Sequence, residues 1–453
     1  ALLAAYAERG YDVKTLDEQQ LIEELSGLLA PFYRDDQLPG LLARDRAGRL
    51  PLADYRAWFA SLPAALQTQI VQRWGEPEQA GLVLREGTQA FFVIPRLQLG
   101  KHVLMPQPPR GERLDDRERA LYHDTKAPPS HSYLAAYLWL REQQKVDALV
   151  HFGTHGSAEW QPGKERGLDV LDYPYLVLGD IPVLYPYIVD NIGEALQAKR
   201  RGRALILSHN TPSFGPAGLH GRLNELHDLL HQWLTMTPGE VRSATAARIR
   251  ALAGELKLDL DLGVELSAPG LDMQALVDDL HLHLHDLALQ QQPLGLARFG
   301  VPADSDLRLS TVQQMLGKPL LQALAPDDPE ELLLVDYAQL KSTPLWQVLD
   351  RHVRQGQPWT GDPALAGLLE QGRRYWQQLA NDQELHGYFQ ALQGRHIASS
   401  YGGDPIKNPD SLPTGRNLYG FDPSRIPTRE AWQAGQLAAQ RLPDQHRQSQ
   451  GEY

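Results

Sequence analysis

Two histidines, a glutamate and a lysine lie within fourteen residues, between positions 151 and 164. The segment follows an apolar run that is typical of a strand, and open α/β sheets bind their ligands at the carboxyl ends of strands. His151, His155 and Glu159 have side chains that ligate divalent cations or transfer protons. Any one of them could equally be an internally bonded strand histidine or a solvated glutamate. Together they favour a binding site for an ion or a ligand.

The glycines of the same segment allow a ligand to approach the main chain closely, because glycine adopts backbone angles that other residues avoid. The segment is nevertheless not a phosphate-binding loop of the Walker A type. That motif requires a glycine and a Ser or Thr where this chain has Ala158 and Glu165. Any ATP hydrolysis must therefore come from elsewhere.

A basic run from Lys199 to Arg203 ends a short predicted helix. Cations at the C-terminus of a helix complement its dipole, which explains the run without any function. The same cations, Lys199 and Arg200 among them, could instead hold the carboxylates of an acidic substrate. Both interpretations stay open at this point.

The stretch 394–428 is rich in Gly, Pro, Asn and Asp and shows little periodicity. A loop of this length in a compact domain usually carries function. We expect an ordered binding loop in which Arg416 and Asn417 clamp acyl groups. Turn-forming residues explain much of the same composition without function.

A zinc site is one interpretation of the run around His281 and His285, which lie one turn apart on a predicted helix. The histidines are embedded in a helical apolar pattern, and no glutamate follows His281 as the zincin motif requires. We therefore interpret this run as a partly exposed face of a helix.

The elements that must position these residues are short strands and amphipathic helices. Apolar runs predict strands at 91–94, 103–105, 148–152 and 205–207. The segment 133–141 predicts a helix that crosses over between the second and third of these strands, in the manner of parallel strands. Helical periodicity returns at 17–30, 51–73, 219–233, 238–253 and 273–289.

The predicted fold class is α/β, as a multi-domain chain with a parallel-sheet α/β core and additional helical segments. We expect four parts. These are a mostly helical segment over 1–88, the α/β core with the His/Glu motif over 89–215, a mainly helical domain over 216–345, and a helix plus the ordered Gly/Pro/Asn-rich binding loop over 346–453.

Composition excludes several classes of function. The 453 residues carry a formal net charge of −12, and an acidic surface repels phosphate, which argues against nucleic acid as a partner. The lack of cysteine excludes disulfides and thiolate metal sites, so a metal would depend on His, Asp or Glu. No apolar run approaches the ~20 residues that span a bilayer.

The longer motifs resemble the large, porphyrin-binding subunit of class I chelatases, the family of the CobN-type cobaltochelatase and the magnesium chelatase H subunit. The resemblance covers most of the chain in the family's order, and full-length members are much larger, which implies a central-to-late portion of such a subunit. It is carried by residues 107–111, 122–124, 128–131, 151–164, 179–191, 198–202 and 412–423.

This resemblance implies a ligase that forms nitrogen–metal bonds by inserting a divalent metal into a tetrapyrrole. Co²⁺ and a cobyrinate-type corrin ring of cobalamin biosynthesis are the preferred substrates, with Mg²⁺ or Fe²⁺ as other metals. Separate AAA+ and integrin-like subunits would hydrolyse ATP. The family motif implies that His151, His155 and Glu159 deliver the metal or accept protons. The implied substrate-binding residues are Thr154, Lys164, Lys199, Arg200, Arg416 and Asn417.

Two alternative functions stay open beside metal insertion. The first is a CobN-like dechelatase that removes metal from haem or a related ring. The second is a carrier that binds a tetrapyrrole or a metal without chemistry. The resemblance favours a cytoplasmic protein, whereas a chain without cysteine suits the periplasm equally well.

Overall fold

The structure, a computed structural model, describes residues 1–451 except 33, 113–123, 154–155, 166, 328, 335–336, 381–382 and 421–426. Its helices are α1 (Leu2–Glu8), α2 (Glu18–Leu29), α3 (Leu38–Ala43), α4 (Leu52–Ala60), α5 (Ala64–Trp74), α6 (His131–Leu138), α7 (Tyr173–Leu178), α8 (Ile192–Arg201), α9 (Arg222–Thr235), α10 (Glu240–Glu255), α11 (Leu258–Leu262), α12 (Met273–Leu289), α13 (Ser305–Leu324), α14 (Tyr337–Leu340), α15 (Pro344–Leu349), α16 (Pro363–Ala380), α17 (Gln383–Leu392) and α18 (Arg429–Gln450). Its strands are β1 (Ala47–Pro51), β2 (Val83–Glu86), β3 (Gln89–Pro95), β4 (Leu97–Leu99), β5 (His102–Leu104), β6 (Leu149–Val150), β7 (Val183–Ile188), β8 (Leu205–His209), β9 (Phe214–Pro216), β10 (Gln291–Pro293), β11 (Ser399–Tyr401) and β12 (Asn417–Tyr419).

A five-stranded sheet in the order β11-β12-β8-β7-β6, the central sheet, positions the candidate site. Strands β6, β7 and β8 are parallel, with Leu149 opposite Val183 and Leu184 opposite Leu205. Strand β12 runs antiparallel to β8 and parallel to β11. Helix α8 connects β7 to β8, as parallel neighbours require a crossover.

Strand β7 distributes its side chains between two hydrophobic cores, because successive residues of a strand point to opposite faces. Tyr185 and Tyr187 pack in the core that contains α6 and α8. Leu184 packs in the other core, with Tyr388 and Phe389 of α17. The parallel strands are therefore covered on both faces, and the tyrosines of β7 are directed to the α6 side.

Helix α6 is buried along its whole length. Its residues are mostly apolar on every side, which is typical of a helix enclosed between layers. Ser130 begins it, and its Oγ accepts a hydrogen bond from the backbone N–H of Tyr133 at 3.2 Å. The helix packs against β3 of the antiparallel sheet β1-β3-β2 and against α7. It therefore connects the N-terminal sheet to the central sheet.

Two helical groups follow the central sheet. Helices α9 to α12 enclose one core, in which Leu226, Ile249 and Leu280 are fully buried. Helices α13, α15 and α16 enclose another core around Val312 and Leu369. Helices α9 and α12 pack directly against each other.

The α/β fold class is confirmed, whereas part of the predicted strand pairing is wrong. No crossover joins the second and third predicted strands, because β5 pairs with β4 in an antiparallel hairpin while β6 pairs with β7. Strand β7 is absent from the prediction, since Pro186 lacks the N–H that a central strand uses. The stretch expected to be a binding loop contributes β11 and β12 to the central sheet. The four-part division of the chain stays a prediction.

Candidate active site

The carboxyl ends of the parallel strands gather two histidines at one edge of the central sheet. His151 directly follows β6, and His209 is the last residue of β8. The backbone N–H of His151 donates to Leu184 O at 3.0 Å, which extends the β6–β7 pairing by one residue. The ring of Phe299 contacts Phe152 and His209, with centroids 5.7 and 5.5 Å apart. The sheet edge at which the sequence predicts a site therefore carries two histidines, which can bind metal ions or transfer protons.

The His151 ring is packed among tyrosines of α6 and β7. Its Nε2 lies 3.2 Å from Tyr137 Oη, and its ring meets that of Tyr185 edge-on at 5.4 Å between centroids. Burial lowers the pKa of His151 to about 4, because the charged imidazolium loses its hydration. At neutral pH His151 is thus an uncharged imidazole, the form that binds a metal ion.

A chain of hydrogen bonds aligns the loop after β6 on helix α6. Gln107 Nε2 donates to Tyr137 Oη at 2.8 Å, and the same Oη lies 3.2 Å from His151 Nε2. Gln107 Oε1 accepts from the backbone N–H of Ser157 at 2.9 Å, and Ser157 Oγ lies 3.0 Å from Tyr133 Oη. Gln107 therefore holds both Tyr137, which contacts His151, and the loop that follows His151.

Glu159 is only 3% exposed, although a loop glutamate ordinarily lies in water. Its carboxylate adjoins Gly156, where a Cβ would lie 3.1 and 3.2 Å from the two carboxylate oxygens and 2.8 Å from Tyr185 Oη. A side chain at this position would press on the Tyr185 hydroxyl, which would have to shift. His151 and Glu159 thus each lie beside Tyr185.

Arg201 of α8 holds the main chain of the same loop. It is 2% exposed, and its guanidinium donates to the carbonyl oxygens of Glu159 at 2.7 Å, of Gln161 at 2.5 Å and of Lys164. The planar fork of N–H donors suits this arrangement, which a single ammonium group would not reproduce. Arg201 is therefore a positioning residue for the loop that carries Glu159.

The role of Arg201 is not among the predictions from the sequence, which treat the basic run as one group. The helical period separates its members, since Arg201 shares the buried face of α8 with Ala195 and Ala198 while Arg200 is exposed. The spacing of these small residues is the signal that could have identified Arg201.

A second acid–base pair lies at the same edge of the sheet. Both carboxylate oxygens of the buried Glu384 lie 3.1 Å from His209 Nδ1. The carboxylate also accepts from Thr414 Oγ1 at 2.7 Å and from the backbone N–H groups of Asn210 at 2.8 Å and Gly300 at 2.7 Å. Burial acts to raise the pKa of Glu384, but His209 and these donors hold it below its usual range. The ionised carboxylate orients the His209 ring. Sequence reasoning misses this pair because its members come from distant parts of the chain.

The family model described as CobN/Magnesium Chelatase matches residues 1–453. This chain belongs to the CobN/magnesium chelatase family. The chain is 33% identical to the aerobic cobaltochelatase subunit CobN of Pseudomonas aeruginosa, over 100% of this chain and 39% of that protein. It is 30% identical to the magnesium chelatase H subunit of Rhodobacter capsulatus, over 87% of this chain and 27% of that protein.

A solved member of the CobN/magnesium chelatase family has the same fold. The catalytic subunit of cobaltochelatase from Mycobacterium tuberculosis matches with a TM-score of 0.73 and 31% identity, covering 100% of this chain and 40% of that chain. The chain thus spans two-fifths or less of the length of these relatives. The predicted family resemblance is confirmed.

The family motif at 151–164 is described in part. His151 contacts the Tyr185 ring, and the Glu159 carboxylate adjoins Gly156 beside the Tyr185 hydroxyl. The roles predicted for His151 and Glu159 stay predictions. Thr154 and His155 lie outside the described residues. Their predicted roles therefore stay predictions.

The basic residues that are predicted to bind the substrate have different surroundings. Lys199 is half-buried, with its Nζ donating to Asn417 Oδ1 at 2.6 Å and lying 4.0 Å from the centre of the Tyr419 ring. Burial lowers the pKa of Lys199 to about 8. Lys164 and Arg200 have exposed side chains. Lys199 and Asn417, which are both predicted to bind the substrate, thus direct their polar atoms at each other.

The Arg416 guanidinium is directed back at the loop that contains it. It donates to the carbonyl oxygens of Asp410 at 2.8 Å, Leu412 at 3.0 Å and Pro413 at 2.9 Å. These contacts stabilise the turn that leads into β12.

The helices of the described ranges include none long and apolar enough to cross a bilayer.

Proposed function

We propose that this chain supplies the tetrapyrrole-binding, metal-inserting part of an ATP-dependent chelatase, a ligase that forms nitrogen–metal bonds. The observation that carries the proposal is that His151 and the buried Glu159 both lie beside Tyr185, in the segment after β6. Co²⁺ and a cobyrinate-type corrin ring are the preferred substrates, because a cobaltochelatase subunit is the relative with 33% identity. Mg²⁺ and Fe²⁺ are the alternative metals.

Metal insertion requires that the ion lose water and that the inner N–H protons of the ring, one in a corrin and two in a porphyrin, leave as nitrogen–metal bonds form. A histidine with a pKa of about 4 is a weak base, yet its neutral imidazole can ligate the ion. We therefore assign His151 to the incoming metal. The carboxylate of Glu159 is suited to ligate the ion or to accept a proton.

When Glu159 ligates the ion, the ring proton needs another acceptor. The Glu384 carboxylate orients His209, at the same sheet edge, through its Nδ1. Nε2 is therefore the nitrogen that would accept a proton from the substrate. A carboxylate partner stabilises the imidazolium that forms when a histidine takes up a proton. His155 of the family motif is the other candidate for this role.

The acidic side chains of the macrocycle need cations at the rim of the site. The exposed Lys164 and Arg200 suit this role, and Thr154 belongs to the same motif. Lys199 and Asn417, together with Arg416, shape the adjoining surface through the contacts they make within the chain. ATP hydrolysis would come from AAA+ and integrin-like partner subunits in the cytoplasm, because the segment around Gly163 is not a Walker A motif.

A visible-absorption titration tests this function against the alternatives. The purified chain is titrated with a metal-free corrinoid, a metal-free porphyrin and haem. A saturable shift with the metal-free corrinoid supports the chelatase function. Haem that slowly acquires the metal-free spectrum without ATP indicates a dechelatase. Binding that leads to no metal exchange, even with ATP and partner subunits, indicates a carrier.

A further inference from the structure

Four histidines and a glutamate converge where α9 packs against α12. His227 and His231 lie one turn apart on α9, and His281 and His285 lie one turn apart on α12. Glu331 approaches from a 3₁₀ turn. The ligand atoms of His227, His231, His281 and Glu331 all lie within 4.8 Å of one another. We call these four residues the interhelix cluster.

The distances within the interhelix cluster match those around a tetrahedral metal ion. His231 Nε2 lies 3.1 Å from both His227 Nε2 and His281 Nε2. Glu331 Oε1 lies 3.1 Å from His231 Nε2 and 3.4 Å from His227 Nε2. Zinc–nitrogen bonds of ~2.0–2.1 Å in a tetrahedron give nitrogen–nitrogen edges of about 3.3–3.4 Å. These four distances are close to that edge, and the remaining two, from His281 to His227 and to Glu331, are within 4.8 Å.

Hydrogen bonds among these side chains cannot satisfy the cluster. An imidazole Nε2 carries one proton or one lone pair, whereas His231 Nε2 faces two other ring nitrogens and a carboxylate oxygen. The buried Glu331 Oε1 faces the Nε2 atoms of both His227 and His231. A cation at the centre would use the lone pairs of all four ligands at once.

The access path also suits a metal. His231 and Glu331 have side chains that are 44% and 36% exposed, so an ion can enter from solvent. His227 is buried, and His285 lies behind it with its Nε2 at 3.4 Å.

We infer that the interhelix cluster is a second divalent metal site, of three imidazoles and one carboxylate, for a borderline transition-metal ion such as Zn²⁺ or Co²⁺. Nitrogen ligands select these ions over Mg²⁺ and Ca²⁺, which prefer oxygen. This site shares no residue with the candidate site around Tyr185, and it does not depend on the proposed chelatase function. The sequence analysis interprets His281 and His285 as part of a partly exposed helix face. It considers α12 alone, without His227 and His231 on α9.

Metal titrations of the whole chain test this site. Zn²⁺ binding is measured by calorimetry, and Co²⁺ serves as a spectroscopic probe because tetrahedral Co²⁺ has strong visible absorption. His231→Ala and Glu331→Gln alter partly exposed ligands and should fold. Each should remove one equivalent of tight binding and weaken Zn²⁺ binding at least roughly a hundredfold, since even residues behind the ligands change affinity 10–100-fold.

Two control variants make the result specific. His283→Ala lies on α12 outside the cluster, where His283 Nε2 is 3.7 Å from Asp261, and it should bind metal as the wild type does. Glu159→Gln should keep the tetrahedral Co²⁺ spectrum even if it loses tetrapyrrole chemistry. The inference is overturned if the wild-type chain shows no tetrahedral Co²⁺ spectrum, or if His231→Ala and Glu331→Gln bind Zn²⁺ as tightly as His283→Ala.

Discussion

Replacing Arg201 should release the loop that carries Glu159. Arg201→Met keeps an apolar stem and removes the guanidinium that donates to three carbonyl oxygens. A hydrogen bond from a charged donor contributes about 1.5–3 kcal/mol. Burying the guanidinium costs part of this, so we take the lower value for each bond and expect the loop to lose about 4 kcal/mol of stability.

This loss should be local, and amide hydrogen exchange of residues 156–164 measures it. A loss of about 4 kcal/mol raises the opening equilibrium roughly a thousandfold, because about 1.4 kcal/mol is a factor of ten. Arg200→Met is the matched control, since Arg200 is the exposed neighbour and its loss should leave exchange unchanged. The reasoning is refuted if Arg201→Met exchanges within about tenfold of the wild type, or if Arg200→Met exchanges equally fast.

Three further predictions concern packing and protonation. Burial lowers the pKa of His151 from 6.5 to about 4, so between pH 4 and 6.5 the unfolded chain binds more protons than the folded chain. The free energy of unfolding should therefore be highest above about pH 6.5 and should fall by up to about 3 kcal/mol as the pH decreases to 4. His151→Phe should abolish this part of the pH dependence in urea unfolding. Gly156→Ala should cost about 1–3 kcal/mol in thermal unfolding because its Cβ meets Tyr185, whereas Gly193→Ala has open space and should be nearly neutral. Acetylation of Lys199, followed by mass spectrometry, should increase with an apparent pKa of about 8, below that of ordinary lysines.

Each of these predictions has an outcome that contradicts it. Equal pH dependence in His151→Phe and the wild type would mean that the ring is solvated in the folded chain. Equal melting of Gly156→Ala and Gly193→Ala would mean that the Glu159 carboxylate does not lie against Gly156. A Lys199 profile like that of the exposed Lys164 would place its ammonium group in water.

Local signals predict much of the fold. Helix α12 begins after Asp272, whose side chain accepts from the backbone N–H groups of Gln274 and Ala275, and it ends at the predicted Leu289. Strand pairing is less accessible because it depends on contacts between distant segments. The predicted strand at 103–105 exists as β5, but its partner is its own neighbour β4.

The sequence predicts candidate site residues where they are close along the chain. His151 and Glu159 belong to one motif, and their roles stay predictions. Arg201 was not predictable from charge, because its burial follows from the packing of α8. The contact of His209 with Glu384 joins β8 to α17 across 175 residues, and no short motif contains both.

The measurement that tests the central claim most directly is the rate of Co²⁺ insertion by Glu159→Gln in the presence of ATP and partner subunits. The corrinoid-binding shift should persist while insertion slows at least roughly a hundredfold, the contribution of a positioned acid–base group. Glu165→Gln, an exposed glutamate of the same loop, should insert metal at the wild-type rate. Insertion by Glu159→Gln at the rate of Glu165→Gln would contradict the assignment of this site.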